Sequence, residues 1–348
     1  MAIIGGFDVH RAQITFDYLD TETGEVMTGQ IRPATRLVLR EWLGRFEAQE
    51  DVAFAVEGCT GWRFGVEELL KAGVEPHLAE PADTATQRGR KKRAKTDRAD
   101  ARLLRELLAQ NRLPDSWIPP AHVLEARTLG RLYVALMDER RAWQQRIHAA
   151  LFHQGVPRVL GLLTGEGRQA LAAAELSPAG RQMVETALTT IDSLTGQIKP
   201  LRAQLAGIGR SQPGARALLA HYGIGALCAA IIWAELGDCR RFRSSDQAVR
   251  FTGLDVTVYS SDGKRSPGRL ARQGSPELRW ALFEAAKSAA RTTAPDHDYY
   301  VELRDRLGGK RPALSVARKL ARRCHHTLRE LGDEAWSEPA IHSEQEAA

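Results

Sequence analysis

Asp97 and Asp100 stand three residues apart in Lys95-Thr96-Asp97-Arg98-Ala99-Asp100. They head a segment whose apolar residues Ala101, Leu103, Leu104, Leu107 and Leu108 recur with a helical period. On a helix that spacing puts both carboxylates on one face, aimed at one spot. Carboxylates held together repel unless a cation lies between them, and oxygen donors of this kind suit Mg²⁺. The approach is basic: Arg88, Arg90, Lys91, Lys92, Arg93 and Lys95 precede the pair, and Arg98, Arg102 and Arg105 follow. Acids in so positive a field make chemical sense where a metal ion and a phosphate meet. The plainer alternative is that Asp97 is a first-turn acid favoured by the helix dipole and Asp100 a solvated neighbour.

Two further acids sit at strand positions. Asp8 lies in the apolar, β-branched run 2–9, and Glu57 closes the apolar run 52–56. Each alone has a structural explanation, Asp8 capping a turn before His10 and Arg11, Glu57 ending a strand before Gly58. An acid at the end of an apolar strand is costly without a partner, however, and four at matching places argue for a shared ligand. A second chemical candidate lies far along the chain, where Ser260 and Ser261 stand among Lys264, Arg265, Arg269 and Arg272. A serine there can act as a nucleophile on a phosphate, with cations stabilising the charge of the transition state. The alternative is a serine-rich β-turn with a solvated basic flank.

The elements that must position these groups follow from periodicity. Strands are predicted over 2–9, 12–19 and 26–31, in a meander with a turn at 20–24, then a helix over 35–48 with Leu37, Leu39, Trp42, Leu43 and Phe46 on its buried side. A strand over 52–56, a Gly-Cys-Thr-Gly turn, a helix over 64–72, a strand over 74–79, the basic loop and the Asp97 helix complete the unit. This is the order of a ribonuclease H-like domain, a mixed sheet flanked by helices, in which the first and fourth strands are neighbours. After Pro119-Pro120 the chain turns to helix formers. Helices over 123–152 and 178–205, interrupted at 155–167, carry apolar spacings of three and four that suit a coiled-coil seam or packing within one chain. Residues 217–236 read as helix, Gly-x-Gly turn, helix, a helix-hairpin-helix-like element whose turn amides can approach a DNA phosphate, or simply a tight connection. The segment 312–331 sets Leu314, Ala317, Ala321, Cys324 and Leu328 against a basic face of Arg318, Lys319, Arg322, Arg323 and Arg329, suited to a nucleic-acid backbone or to solvent.

The predicted fold class is thus α/β plus α. Residues 1–120 form the acidic catalytic domain, 121–206 a helical spacer, 207–335 a mostly helical domain with the serine motif, and 336–348 a polar disordered tail. A chain of 348 residues with 43% hydrophobic content can build two or three such domains. A net charge of +6 allows a polyanionic partner. Cys59, Cys228, Cys239 and Cys324 lack metal-ligand spacing and read as reduced thiols. No apolar run reaches about 18 residues and no signal peptide is evident, so a cytoplasmic protein without a membrane partner is expected.

Together these residues resemble the transposases of the insertion sequence 110 family over nearly the whole chain. The N-terminal part resembles that family's RuvC-like domain through Gly6-Phe7-Asp8, Val56-Glu57-Gly58-Cys59-Thr60-Gly61 and Lys95-Thr96-Asp97-Arg98-Ala99-Asp100-Ala101. The C-terminal part resembles its transposase domain through Tyr222-Gly223-Ile224-Gly225, Phe251-Thr252-Gly253-Leu254 and the stretch from Tyr259-Ser260-Ser261 to Gly274. Carried over, Asp8, Glu57, Asp97 and Asp100 match the family's acidic tetrad, a Mg²⁺ site. Ser261 matches its catalytic serine, with Ser260 beside it as the alternative. The resemblance implies recombination of donor and target DNA guided by an element-encoded noncoding bridge RNA. It also implies a homo-oligomer, a tetramer built from dimers, with each active site combining the two domain types. On the residues alone two other classes stay open: a RuvC-like metal-dependent nuclease whose serine turn only binds, and a noncatalytic nucleic-acid-binding protein whose acids are structural.

Overall fold

Strand β1 (Ile3–Val9) sends Ile3, Gly5, Phe7 and Val9 to one face of its sheet and Ile4, Gly6 and Asp8 to the other, because successive strand residues alternate. Both faces are covered, so the strand is buried almost end to end. In the computed structural model, which describes residues 2–87, 96–256, 259–261, 264–266, 268, 270–272 and 274–338, with backbone alone for 259–261 and 264–266, the chain divides into two units at Ile118 and Pro119.

In the first unit β1 is joined by β2 (Ile14–Asp20), β3 (Val26–Ile31), β4 (Val52–Glu57), β5 (Glu75–Ala79) and β6 (Asp115–Ser116), in the order β3-β2-β1-β4-β5-β6. The first three strands form the expected antiparallel meander. β4 and β5 then run parallel to β1, and β6 returns antiparallel at the edge. The helices are α1 (Arg36–Leu43), α2 (Trp62–Lys71), the short α3 (Pro81–Thr86) and α4 (Asp97–Ala109). α1 is shorter than the predicted 35–48, tightening at Gly44 into a 3₁₀ turn that ends at Phe46.

The two sheet faces differ in kind. One carries Phe7, Phe16, Tyr18 and Phe54, which pack with Trp42 and Phe46 into an aromatic core beneath α1 and α2. The other carries Gly6, Ala53, Ala55 and Ala79, small enough for α4 to lie directly on the strands through Leu104 and Leu108. α1 is tied to α2 by Glu68, whose buried carboxylate meets Arg36 Nη1 and Arg40 Nη2 at 2.9 Å and Lys71 Nζ at 3.0 Å.

In the second unit α5 (Ala121–His153) and α7 (Pro178–Ser211) run antiparallel. Ile147 and Leu151, late in α5, share a core with Val184, Ala187 and Ile191, early in α7, and α6 (Gly165–Ala173) closes that end through Leu171. After the short α8 (Pro213–Ala217), α9 (Ala226–Leu236) meets the opposite ends of the pair. Arg127 donates to Ala234 O, Arg131 forks onto the Glu235 carboxylate, and Gly209 lies against Ala226. Apart from Glu235, α9 is apolar all round and is buried from Ala229 to Leu236, as a helix at the middle of a core must be. There follow α10 (Ser245–Phe251), the hairpin of β7 (Tyr259–Ser261) and β8 (Lys264–Ser266), α11 (Pro276–Ala286), α12 (His297–Leu307) and α13 (Arg311–Leu331).

Two expectations take a different form here. The Gly-x-Gly turn contains Gly223 at φ 90°, and a Cβ there would collide with Ala285 O and Ser288 Oγ. That glycine serves internal packing, whatever else the turn does. The basic side of α13 is spent on fastening: Arg318 donates to Leu254 O, Arg322 to Asp246, Lys319 and Arg323 to Asp296, and Arg329 to Phe242 O. Among the described residues no helix is long and apolar enough to cross a membrane. Residues 339–348 of the predicted tail lie outside the described residues.

Burial pushes the Glu68 carboxyl up, but hydrogen bonds from Lys71, Arg36 and Arg40 outweigh it and hold it down at about 2. A carboxyl depressed on folding stabilises above its unfolded value, near 4.5, and that contribution fades as pH falls through about 2. Glu68→Gln is therefore expected to cost about 2 kcal/mol at neutral pH. In urea denaturation the gap from wild type should narrow between pH 4.5 and 2. A gap independent of pH would mean that the ion cluster is not its source.

Candidate metal centre

Register and alternation bring the first two acids together. β1 and β4 are parallel with Phe7 opposite Val56, so Asp8 and Glu57 are the next residues along neighbouring strands. Asp8 shares the α4 face with Gly6, and Glu57 shares it with Ala53 and Ala55. α4 supplies the other two from its first turn. Thr96 caps the helix, its Oγ1 accepting from Ala99 N at 3.2 Å, which places Asp97 as the first helical residue and Asp100 three further on.

All four acids line one open cleft of roughly 760 Å³, together with His10, Cys59, Thr60 and Phe64. Their approach depends on Gly6. A Cβ at that position would lie 2.8 Å from Arg105 N and nearer still to Ala101 O, both backbone atoms of α4. Arg105 then anchors the helix sideways by donating to the buried Asp17 of β2.

The polar contacts of the site add residues that motif spacing does not single out. His10 Nε2 lies 3.2 Å from Asp8 Oδ2 and 3.5 Å from Asp97 Oδ1. Gln13 Nε2 donates to Asp97 Oδ2 at 3.0 Å, and Arg32 donates to Gln13 Oε1. The alternation that pairs Gly6 with Asp8 continues to His10, a signal available from sequence. Gln13 reaches the site across a tight turn closed by His10 N donating to Gln13 O, and no spacing announces that.

The electrostatics of the cleft suit a divalent cation. Burial pushes the Asp8 carboxyl up, and Asp100 and Asp97 push it further, while His10 opposes them. A divalent ion would relieve that excess of negative charge. Asp8, His10 and Asp97 can each present one donor atom within 4.8 Å of the others. Cys59 is a different case. Burial, then Glu57 and Asp8, push its thiol up, and Sγ lies 3.5 Å from Val9 O.

Ser260 and Ser261 lie in β7, where Ser260 pairs with Arg265 and Ser261 with Lys264, so backbone pairing sets both serines opposite basic residues. Their side chains, the basic run 88–95 and Arg269 lie outside the described residues.

Residues 5–153 match the family model of DEDD transposases of IS110, described as transposase, and residues 215–301 match that described as transposase IS116/IS110/IS902 family. The chain belongs to the IS110 family of transposases. It is similar to the y4rJ protein of Sinorhizobium fredii, named as a transposase, with 32% identity over 64% of this chain and 62% of that relative. It is also similar to the transposase for insertion sequence element IS1328 of Yersinia enterocolitica, with 25% identity over 67% of this chain and 69% of the relative. In this IS110-family chain the match over 5–153 contains Asp8, Glu57, Asp97 and Asp100, and that over 215–301 contains both serines.

Gly6→Ala tests the packing that gathers the acids. It is expected to cost roughly 1–3 kcal/mol by overpacking and, if the cleft takes a divalent ion, to weaken that binding measured by calorimetry, although none of the four acids is altered. Unchanged stability together with unchanged binding would contradict the close approach of α4.

Proposed function

We propose that this chain is the transposase of an insertion sequence, which cuts and exchanges strands of donor and target DNA with a divalent-metal acidic tetrad and a serine nucleophile. The observation that carries the reading is the cleft in which Asp8, Glu57, Asp97 and Asp100, from three separate elements, line one wall system. In this reading the first unit is a RuvC-like, ribonuclease H-like domain, supported by its strand order and by the acids on β1, β4 and α4. The four carboxylates hold Mg²⁺ or a related ion, with Gln13 and Arg32 orienting Asp97. Such an ion, when bound, stabilises charge building on the scissile phosphate.

Ser261 Oγ attacks the phosphorus and forms a Ser–O–P bond as the P–O3′ bond breaks. The proton lost by the serine is balanced by the one gained by the 3′-hydroxyl. The product is a 5′-phosphoserine, and reversal by another 3′-hydroxyl rejoins strands without ATP, since bond energy is kept in the phosphodiester. Site choice by pairing with a bridge RNA of the element, and assembly as a homotetramer of two dimers, belong to the same reading and rest on the family.

Denaturing electrophoresis of protein trapped on DNA, followed by peptide mass spectrometry, tests the mechanism. Wild type is expected to yield an adduct on Ser261. Ser261→Ala should lose it and lower recombination by about 10³-fold or more, while Ser260→Ala retains both. Asp97→Asn should abolish cleavage. Undiminished recombination by Ser261→Ala and by the double serine variant would reject the serine, and undiminished cleavage by Asp97→Asn would reject the metal site.

A further inference from the structure

His10 stands outside the acidic tetrad, yet its ring is placed like a member of it. It lies on the α4 face of the β1 run, in step with Gly6 and Asp8, and lines the same cleft as the four acids. Its side chain is 53% exposed, so packing does not account for its orientation. What fixes the ring is the pair of carboxylates: Nε2 is 3.2 Å from Asp8 Oδ2 and 3.5 Å from Asp97 Oδ1.

Those separations are informative about coordination. An ion bound octahedrally at about 2.1 Å sets neighbouring donors about 3 Å apart and opposite donors about 4.2 Å apart. Both separations from His10 Nε2, 3.2 Å to Asp8 and 3.5 Å to Asp97, fall in that range, and the donor atoms of all three residues lie within 4.8 Å of one another. Asp97 is also held from behind, because its other oxygen accepts from Gln13. That leaves Oδ1 directed toward His10, as supporting hydrogen bonds commonly orient a ligating carboxylate.

We infer that His10 Nε2 is a direct ligand of the divalent ion held by Asp8 and Asp97, making this a mixed nitrogen and oxygen site. The inference rests on the divalent site proposed above. Its consequence is selectivity. An imidazole nitrogen adds affinity for first-row transition ions but little for Mg²⁺, which prefers oxygen. Mn²⁺, which accepts both donor types, becomes the better-held ion. The competing possibility is that the ring merely bridges the two acids in the metal-free protein and swings away when an ion enters.

Pulsed electron paramagnetic resonance of Mn²⁺ on the full-length chain decides between them without reference to activity. Wild type is expected to show a directly coordinated ¹⁴N coupling, converted to ¹⁵N when the histidines are ¹⁵N-labelled. His10→Ala should lose that coupling and bind Mn²⁺ about tenfold or more weakly, with Mg²⁺ affinity changed less than about twofold. His10→Gln, which keeps bulk and polarity at this half-exposed position, should lose the coupling as well. Bound Mn²⁺ with no nitrogen coupling in wild type, or a coupling that survives in both variants, would overturn the role of His10 and leave the acidic site standing. Failure of wild type to bind Mn²⁺, with binding equal to that of Asp8→Asn, would overturn the acidic site and His10 together.

Discussion

At Gly6 helix α4 lies against β1 with no room for a side chain, and the geometry of the cleft depends on that contact. The helix can approach because its sheet face is made of Gly6, Ala53, Ala55 and Ala79, while the bulky residues of the same strands point the other way into the aromatic core. Alternation along β1 and β4 then puts Asp8 and Glu57 on the small-residue face, where the first turn of α4 brings Asp97 and Asp100. Proximity of the acids is thus a by-product of close helix-on-strand packing, with Arg105 on Asp17 fixing the helix laterally.

Two buried carboxylates in this unit show what separates a structural acid from a site. Glu68 is surrounded by Arg36, Arg40 and Lys71, so its charge is over-compensated and its carboxyl is held at about 2. Asp8 meets burial, opposed by His10 and reinforced by Asp100 and Asp97, and its carboxyl is pushed up. The first arrangement is complete within the chain. The second sets like charges beside one another, the condition under which a carboxylate gains from a nearby cation. Gln13 and Arg32 fit that picture, since they orient one oxygen of Asp97 and leave the other directed at the cleft.

Much of the first unit was legible because its signals are local. Apolar runs and alternation marked β1 to β5, the helical period of Ala101, Leu103, Leu104, Leu107 and Leu108 marked α4, and the neighbouring first and fourth strands followed from the element order. The pieces that escaped are those whose reasons are tertiary. α3 and β6 are too short to show a period, and Gly44 ended α1 early. On α13, periodicity separated a basic from an apolar side correctly, but whether those arginines face solvent, nucleic acid or their own chain depends on Asp246, Asp296 and the carbonyls of Phe242 and Leu254, all distant in sequence. Gly223 was readable as a glycine needed for close approach, though the partner is α11 and the turn after it. His10 was within reach of the strand alternation; Gln13 was not, because its role arises from a turn that folds it back over the site.

Membership of the IS110 family and the gathered acids point to one central claim, that the cleft between β1, β4 and α4 is a divalent-ion site. Anomalous diffraction from crystals grown with Mn²⁺ measures it most directly. An anomalous peak is expected in that cleft, at about 2.2 Å from carboxylate oxygens of Asp8 and Asp97. A well-ordered cleft without a peak under saturating Mn²⁺, or a peak held by other residues alone, would contradict it.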